Sequence, residues 1–325
     1  MEATTRTTTR PYAGPADFDA MLRVVSESWR IGGPHANGTV GDLEWWTVND
    51  PDQPLEGQAE LWLLDDRPVG WAWPDPPSAA DWHLQPGVPR APFLDPLLER
   101  AEAVARTAKA AGVVGPLISL AGRREDGPVA ATTTWAMDSD AGAIEVLTRR
   151  GYAPDGLAMS HWIRALPAGG GAPVPDPPLP PGYRHAGVRW PDDVPARVEV
   201  HRSAFAPSRM TIEKYRILDG LPHYSPERDR VIVAPDGSFA AFANAWYDPE
   251  ARIGELEPVG THADHRRLGL ARGVCFAAMQ TLEAAGARHV LIFSGQHNAA
   301  SEALYESLGC TRATTSRRYA RPVSD

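Results

Sequence analysis

Lysine is almost missing from this chain. Lys109 and Lys214 are the only two in 325 residues, and arginine supplies the remaining basic side chains. Basic residues are also outnumbered: 32 Lys and Arg against 41 Asp and Glu give a formal net charge of −9. A nucleic-acid binder needs a basic footprint, so that class is argued against. A cationic substrate is compatible with an acidic chain but is not specified by it. Cysteine is as scarce, with only Cys275 and Cys310. Neither stands in a metal-ligand spacing, and two cysteines make no disulfide framework, so each reads as a small buried hydrophobe in a reducing cytoplasm. No apolar run reaches eighteen residues, so no membrane span is expected. Met1–Arg10 is rich in Thr and Arg and lacks the apolar core of a signal peptide; it reads as a frayed tail leading into a first strand. No metal, membrane or nucleic-acid partner is expected, and the protein is expected to be a monomer or homodimer.

The hydrophobic content of 43% is ample for buried cores, and the length suits two domains of about 150 residues. A divider stands near the middle. Ala165–Pro181 reads ALPAGGGAPVPDPPLPP, whose prolines lack N–H donors and whose glycines cost entropy, so it can be neither helix interior nor central strand. The expected layout is an N-terminal domain over 1–165, a linker over 166–181 and a C-terminal domain over 182–325.

The two flanks share one order of elements. In the first, a helix over Asp17–Trp29 precedes a hairpin of Ala59–Asp65 and Val69–Trp73. A long helix over Pro92–Ala111, a strand over Val113–Leu120, a helix over Asp140–Arg150 and a closing strand over Leu157–Ala165 follow. In the second, Tyr183–Arg189 opens, helical stretches cover Asp192–Ala204 and Thr211–Leu218, and Asp229–Ala234 pairs with Phe239–Trp246. Then come a strand over Arg252–Thr261, a helix over Arg267–Ala285, a strand over Arg288–Ser294, a helix over Asn298–Leu308 and a last strand over Thr311–Tyr319. The fold class expected is α/β: two tandem repeats, each a mixed, mostly antiparallel sheet with helices on both faces. Trp45, Trp46, Trp62, Trp71 and Trp73 read as the core of the first half.

The most informative stretch is Glu255–Ala271, ELEPVGTHADHRRLGLA. A strand ends, a polar turn follows and a helix begins within Arg266-Arg267-Leu268-Gly269-Leu270-Ala271, which fits R/Q-x-x-G-x-G/A. Unpaired N–H groups at a helix N-terminus face an anion, and small residues let the backbone come close. The run lacks the G-K-S/T of a nucleotide loop and the G-x-G-x-x-G of a dinucleotide fold. With Asn298–Cys310 (NAASEALYESLGC) at the following helix, the region Tyr183–Pro322 resembles the GCN5-related N-acetyltransferase (GNAT) family in its motifs A and B. Cys310 stands where that family usually has Phe. The two-half layout further resembles mycothiol synthase-like actinobacterial tandem acetyltransferases. In the first half, Asp140–Tyr152 looks like motif B, but the place of motif A carries Pro86, Pro89 and Pro92 and no such loop. That half reads as degenerate, supporting the fold or shaping the acceptor pocket.

The resemblance implies acetyl-CoA, or another acyl-CoA, as co-substrate and a small-molecule primary amine as acceptor. Cofactor contacts would fall on Val259, Gly260, Thr261, Arg266, Arg267, Leu268, Gly269, Leu270, Ala271 and Asn298, the last of which could equally cap its helix. An amine must lose a proton before it attacks a thioester. Glu255 and Glu257 lie two apart on one strand and so share a face; either could be the base, and Glu257, beside Pro258, is nearer the point where the sheet must splay. Tyr305 matches the family tyrosine that can protonate the departing thiolate. His262 and His265 flank the loop and read as polar loop residues. His201, Phe205, Tyr215 and Trp246 are candidates for the acceptor wall. A non-catalytic acyl-CoA-binding protein, or an enzyme acting on a peptide or carrier-bound substrate, are the alternative readings.

Overall fold

The structure, a computed structural model, describes residues 6–49, 54–118 and 124–324. The N-terminal half contains β1 (Thr7–Pro11), α1 (Pro15–Gly32), α2 (Val40–Asn49), β2 (Glu60–Leu64), β3 (Arg67–Asp75), β4 (Ala79–Leu84) and α3 (Ala91–Ala110). It continues with β5 (Val114–Ile118), β6 (Arg124–Pro128), β7 (Ala131–Met137), α4 (Ala141–Arg149) and β8 (Ala153–Ala165). The C-terminal half contains β9 (Arg184–Gly187), α5 (Val194–Ala204), α6 (Ile212–Arg216), β10 (Asp229–Val233), β11 (Phe239–Asp248) and β12 (Ile253–Thr261). After these come α7 (Leu270–Ala284), β13 (His289–Gly295), α8 (Ala299–Ser307) and β14 (Thr311–Pro322). Among the described residues no helix is long and apolar enough to cross a membrane.

Local chemistry explains most boundaries. Helix α3 carries Pro92 in its first turn and buries Phe93, Leu94, Leu97 and Leu98 at helical spacing before Gly112 takes a left-handed conformation. Asp140 caps α4 by accepting from the Ala143 N–H, and Asn298 caps α8 by accepting from the Ser301 N–H at 3.2 Å. Helix α7 begins at Leu270, not Arg267, because Arg267 and Gly269 both sit at positive φ (67° and 77°) and hold the chain out of helical geometry until the glycine has passed.

The halves interlock more tightly than two beads on a linker. Twelve strands form one sheet in the order β1-β2-β3-β4-β7-β14-β8-β13-β12-β11-β10-β9. The closing strands are exchanged. Strand β8, from the first half, pairs over Met159–Ala165 with β13 of the second, while β14, the last strand, inserts between β7 and β8. Within each half one parallel neighbour pair splays. Strands β12 and β13 are in register only from Ile253↔His289 to Glu255↔Leu291, and β4 meets β7 only at Ala79↔Thr133. Each half therefore contains a V-shaped gap.

Several sequence expectations change here. The strand expected over Val113–Leu120 is β5, which leaves the main sheet and pairs only with β6; residues 119–120 lie outside the described ones. Its place in the sheet is taken by β7, whose alternating burial places Thr132, Thr134 and Ala136 inward. Helix α2 is an addition to the expected order, and it belongs to both halves. Its Trp45 and Val48 pack with Val194, Val198, Tyr215 and Trp246 of the C-terminal half, so Trp45 is not core of the first half. Trp46 is 40% exposed and not core at all. Glu44 on the same helix receives His223 Nδ1 at 2.5 Å, and Ser26 of α1 donates to Asp248 of β11 at 2.6 Å.

Candidate functional site

Three carboxyl groups converge where the β12–β13 gap opens. Asp42, Glu255 and Glu257 each offer an oxygen within 4.8 Å of the others. Glu255 and Glu257 alternate along β12 onto the same face, and a bulge between Ala243 and Ala245 of the neighbouring strand reshapes the backbone around Glu257-Pro258. Trp246 and Asn244 both donate to the Glu257 carbonyl, at 2.7 and 3.2 Å, which fixes the displaced backbone.

Asp42 arrives from the other half. Thr39 caps α2: its hydroxyl accepts from the Asp42 N–H at 3.1 Å, while the Asp42 carboxylate accepts from the Thr39 N–H at 2.7 Å. This reciprocal box leaves the Thr39 hydroxyl proton to go to Glu255. Gly41 lets the helix lie this close, since a Cβ there would stand 2.5 Å from Trp246 and 2.6 Å from Glu255.

Burial raises all three carboxyls above the ordinary range, and the charge of Asp42 adds to the shift of both glutamates. The two glutamates differ in access. Glu255 is only 1% exposed and is held by Thr39, whereas Glu257 lines a cavity. That cavity, about 430 Å³, is roofed by α1, α2 and the Asn37–Thr39 turn, and its floor runs from β12 to β3. Tyr305 of α8 is buried, and its phenol is pushed upward by desolvation and then by nearby groups that include Glu257, so it stays protonated.

The sign of the pH effect follows. A carboxyl raised in the folded protein keeps its proton over a range where the unfolded chain, titrating near ~4.3, has released it. The stability it contributes is complete below that value and is lost as pH rises through the folded one. Glu255→Gln keeps an oxygen for the Thr39 hydroxyl and removes the ionisation. Its melting temperature should exceed that of the unaltered protein at pH 8, with the gap closing toward pH 4; thermal melts across that range would decide, and an equal gap at all pH values would refute the raised pKa of this carboxyl.

The loop after β12 forms an anion cradle. Val259, Gly260 and Thr261 pair with β11 on one edge, and β13 has already left the other. The first helical N–H groups of α7 have no carbonyl behind them; Gly273 N–H is bonded to the Gly269 carbonyl at 3.2 Å. Alternating left-handed residues at Arg267 and Gly269 curl the backbone into a nest. Arg266, Arg267 and Leu268 are exposed around it, and Arg266 reaches the carbonyls of Ala204 and Thr261. Leu270 is buried and anchors the helix, and Ala271 follows it. These features suit the pyrophosphate and pantetheine arm of a coenzyme A thioester. His265 is tied to the Tyr183 hydroxyl at 2.9 Å and His262 accepts from the Asp264 N–H, so both serve the turn.

The matching place in the N-terminal half is bridged by side chains between β4 and β7. Trp82 Nε1 donates to Thr134, which donates to the Ala80 carbonyl at 2.6 Å, stitching β4 to β7. Arg90 spans the turn before α3 by donating to the carbonyls of Gln85 and Val88 while paired with Asp140.

The expected acceptor wall lies elsewhere than this cavity. Tyr215 is 1% exposed and is held in a buried network with Asp229, Arg197 and Tyr224. Trp246 is as buried and serves the Glu257 backbone. His201 is buried and kept neutral, its pKa lowered to about 3 by desolvation and Arg197, and Phe205 beside it is exposed. The cavity walls come instead from Asp42, Asp81, His83 and Trp135, from the half-exposed Trp46, and from Trp71 and Trp73, which are buried in the core of the first half as expected and also face the cavity.

Comparison with known proteins bears on the family and the fold. Residues 196–310 match the family model described as the acetyltransferase (GNAT) family. Mycothiol acetyltransferase of Paenarthrobacter aurescens is 27% identical over 217 residues, covering 64% of this chain and 65% of that one. Mycothiol acetyltransferase of Beutenbergia cavernae is 31% identical over 114 residues, covering 35% and 38%. The chain thus spans just under two thirds of the first relative's length and less of the second. In fold, a GCN5-related N-acetyltransferase from Sphaerobacter thermophilus superposes with a TM-score of 0.64 at 16% identity, covering 98% and 96%. A tandem GNAT protein from the clavulanic acid biosynthesis pathway gives 0.62 at 14%, covering 98% and 99%.

Proposed function

We propose that this chain, whose residues 196–310 match the GNAT acetyltransferase family, transfers an acyl group, acetyl in the first instance, from coenzyme A to a primary amine of a small molecule. The observation that carries this reading is adjacency along β12: its pairing with β13 stops at Glu255, Glu257 two residues on lines the cavity, and the loop cradle before α7 follows directly on the same strand. The co-substrate supplies an activated carbonyl carbon and a thiolate leaving group. The chain's own groups do the rest. Glu257 removes the proton of the bound ammonium, and its raised pKa brings it nearer to that of the amine it must deprotonate. Burial, and then the charge and hydrogen bond of Asp42, hold that pKa up. Tyr305 keeps a hydrogen for the departing sulfur. Cys275 and Cys310 are buried with raised pKa values, so neither is a prepared nucleophile, and direct attack is preferred. The acyl site is assigned to the C-terminal half, since the first half has no counterpart of the Arg266–Ala271 loop and carries Pro86, Pro89 and Pro92 in its place.

Titration of acetyl-CoA into the full chain should give one site. Gly269→Pro cannot adopt φ of 77°, so affinity in that variant should fall about tenfold or more. Two sites per chain would overturn the assignment of the cofactor to one half, and unchanged affinity in the variant would overturn the cradle. A pH profile tests the base. The acid limb of kcat/KM should lie well above the ordinary glutamate value of ~4.3, and Asp42→Asn should move it toward lower pH by removing the neighbouring charge.

A further inference from the structure

Glu257 occupies one end of the cavity, and the other end has its own chemistry. Asp42 and Trp46 lie one turn apart on α2, a rise of about 6 Å. The Trp46 ring stands edge-on to Trp71 and Trp73, at 6.2 and 6.5 Å between centroids. Trp73 is directly opposite Asp81 in the β3–β4 ladder, so the two side chains share a face. Trp135 of β7 joins the same wall. This end is therefore a box of indoles closed by a carboxyl. Between the ends, the floor is apolar, with Met159 of β8 and Phe293 of β13.

What the lining lacks is as informative. Among the described residues that form it there is no lysine or arginine. Its two histidines are kept neutral by burial, His83 with a pKa near 3 and His161 near 4. A carboxylate or phosphate on the ligand would find no cation. Indole faces are the negative side of the aromatic quadrupole and hold cations best when water is excluded.

The geometry points to an acceptor with two cationic nitrogens: a primary amine beside Glu257 and Asp42, and a second positive nitrogen seated among Trp46, Trp71, Trp73 and Asp81. An apolar spacer joins them, and the molecule carries no anionic group. The first nitrogen rests on the acyl-transfer reading, whereas the second rests on the box alone. Burial beside Asp75 pushes the Asp81 carboxyl up to about 7, so a cation seated against it draws the proton off, and binding near neutrality releases protons.

The test uses the full chain with α,ω-diaminoalkanes of graded length, n-alkylamines of the same lengths and the matching ω-amino acids. Binding is read by intrinsic tryptophan fluorescence without acyl donor, and turnover by release of free coenzyme A thiol. Diamines should bind about tenfold more tightly than equal-length monoamines, with an optimum length and with proton uptake by the buffer. The ω-amino acids should neither bind nor react. The isosteric Asp81→Asn should bring the diamine-to-monoamine ratio close to one, and Trp46→Leu, at a half-exposed position, should lower it in part. Equal affinity for monoamines and diamines at every length, or binding of the ω-amino acids, would overturn the two-cation site. Monoamine turnover without a diamine preference would overturn it while leaving acyl transfer standing. Tight diamine binding without any acyl transfer would support the two-cation site and sink the acyl-transfer reading.

Discussion

Glu257→Gln should lower kcat by about 10²- to 10⁴-fold, the range a positioned general base contributes, while acetyl-CoA affinity stays unchanged. The amide keeps the side chain's shape and loses its capacity to take a proton. The split between kcat and cofactor binding matters because a merely structural role would disturb both. Glu255→Gln should lose far less. That carboxyl is sealed under Thr39 with 1% of its surface exposed and has no route to a bound amine. If both variants turn over like the unaltered protein, no carboxylate base operates on this strand. A large loss in Glu255→Gln alone would exchange the two roles.

Ending the chain after Cys310 should cost the whole fold. The deleted segment carries β14, which is hydrogen-bonded to β7 over Ala131–Met137 and to β8 over most of its length. It is a central strand of the one sheet, so its loss uncovers two strand edges in the middle of the molecule and removes the wall between the halves. The expected outcome is aggregated or protease-sensitive protein with no cooperative melting transition. Supplying residues 311–325 as a peptide should restore little, since closing the gap would require both halves to be already formed around it. A truncated chain that melts cooperatively near the temperature of the intact one would refute the interlocked description. The same exchange predicts that the N-terminal half expressed alone fails to fold, because its own strand β8 finds its partners in β13 and β14.

The two expectations share a cause, namely that the site is assembled from both halves. Asp42 shows how little of this is visible locally. Thr39-Val40-Gly41-Asp42 is a capping box before an apolar run, a pattern that announces the start of a helix. The box could have been read from the chain. That its helix would lie against Glu255, 216 positions away, could not.

What the sequence determined by itself is whatever depends on short range. The loop Arg266–Ala271 and the helix from Asn298 could be located because anion binding at a helix start and helix capping need particular residues a few positions apart. Hairpins and long helices were legible from alternation and helical spacing, with ends shifted by a few residues where a left-handed residue such as Gly269 intervened. The choice between Glu255 and Glu257 was not legible, since alternation puts both on one face and only packing against α2 buries one and leaves the other facing a cavity. Nor was the destination of the tryptophans. Trp62 is core, whereas Trp46 lines the cavity and Trp45 packs on the other half; hydrophobicity is the same in each case, and only the neighbours differ. The exchanged strands were decided last of all. Strands β8 and β14 carry no strict alternation that names a partner, and their pairing with strands of both halves is fixed only once the two halves have come together.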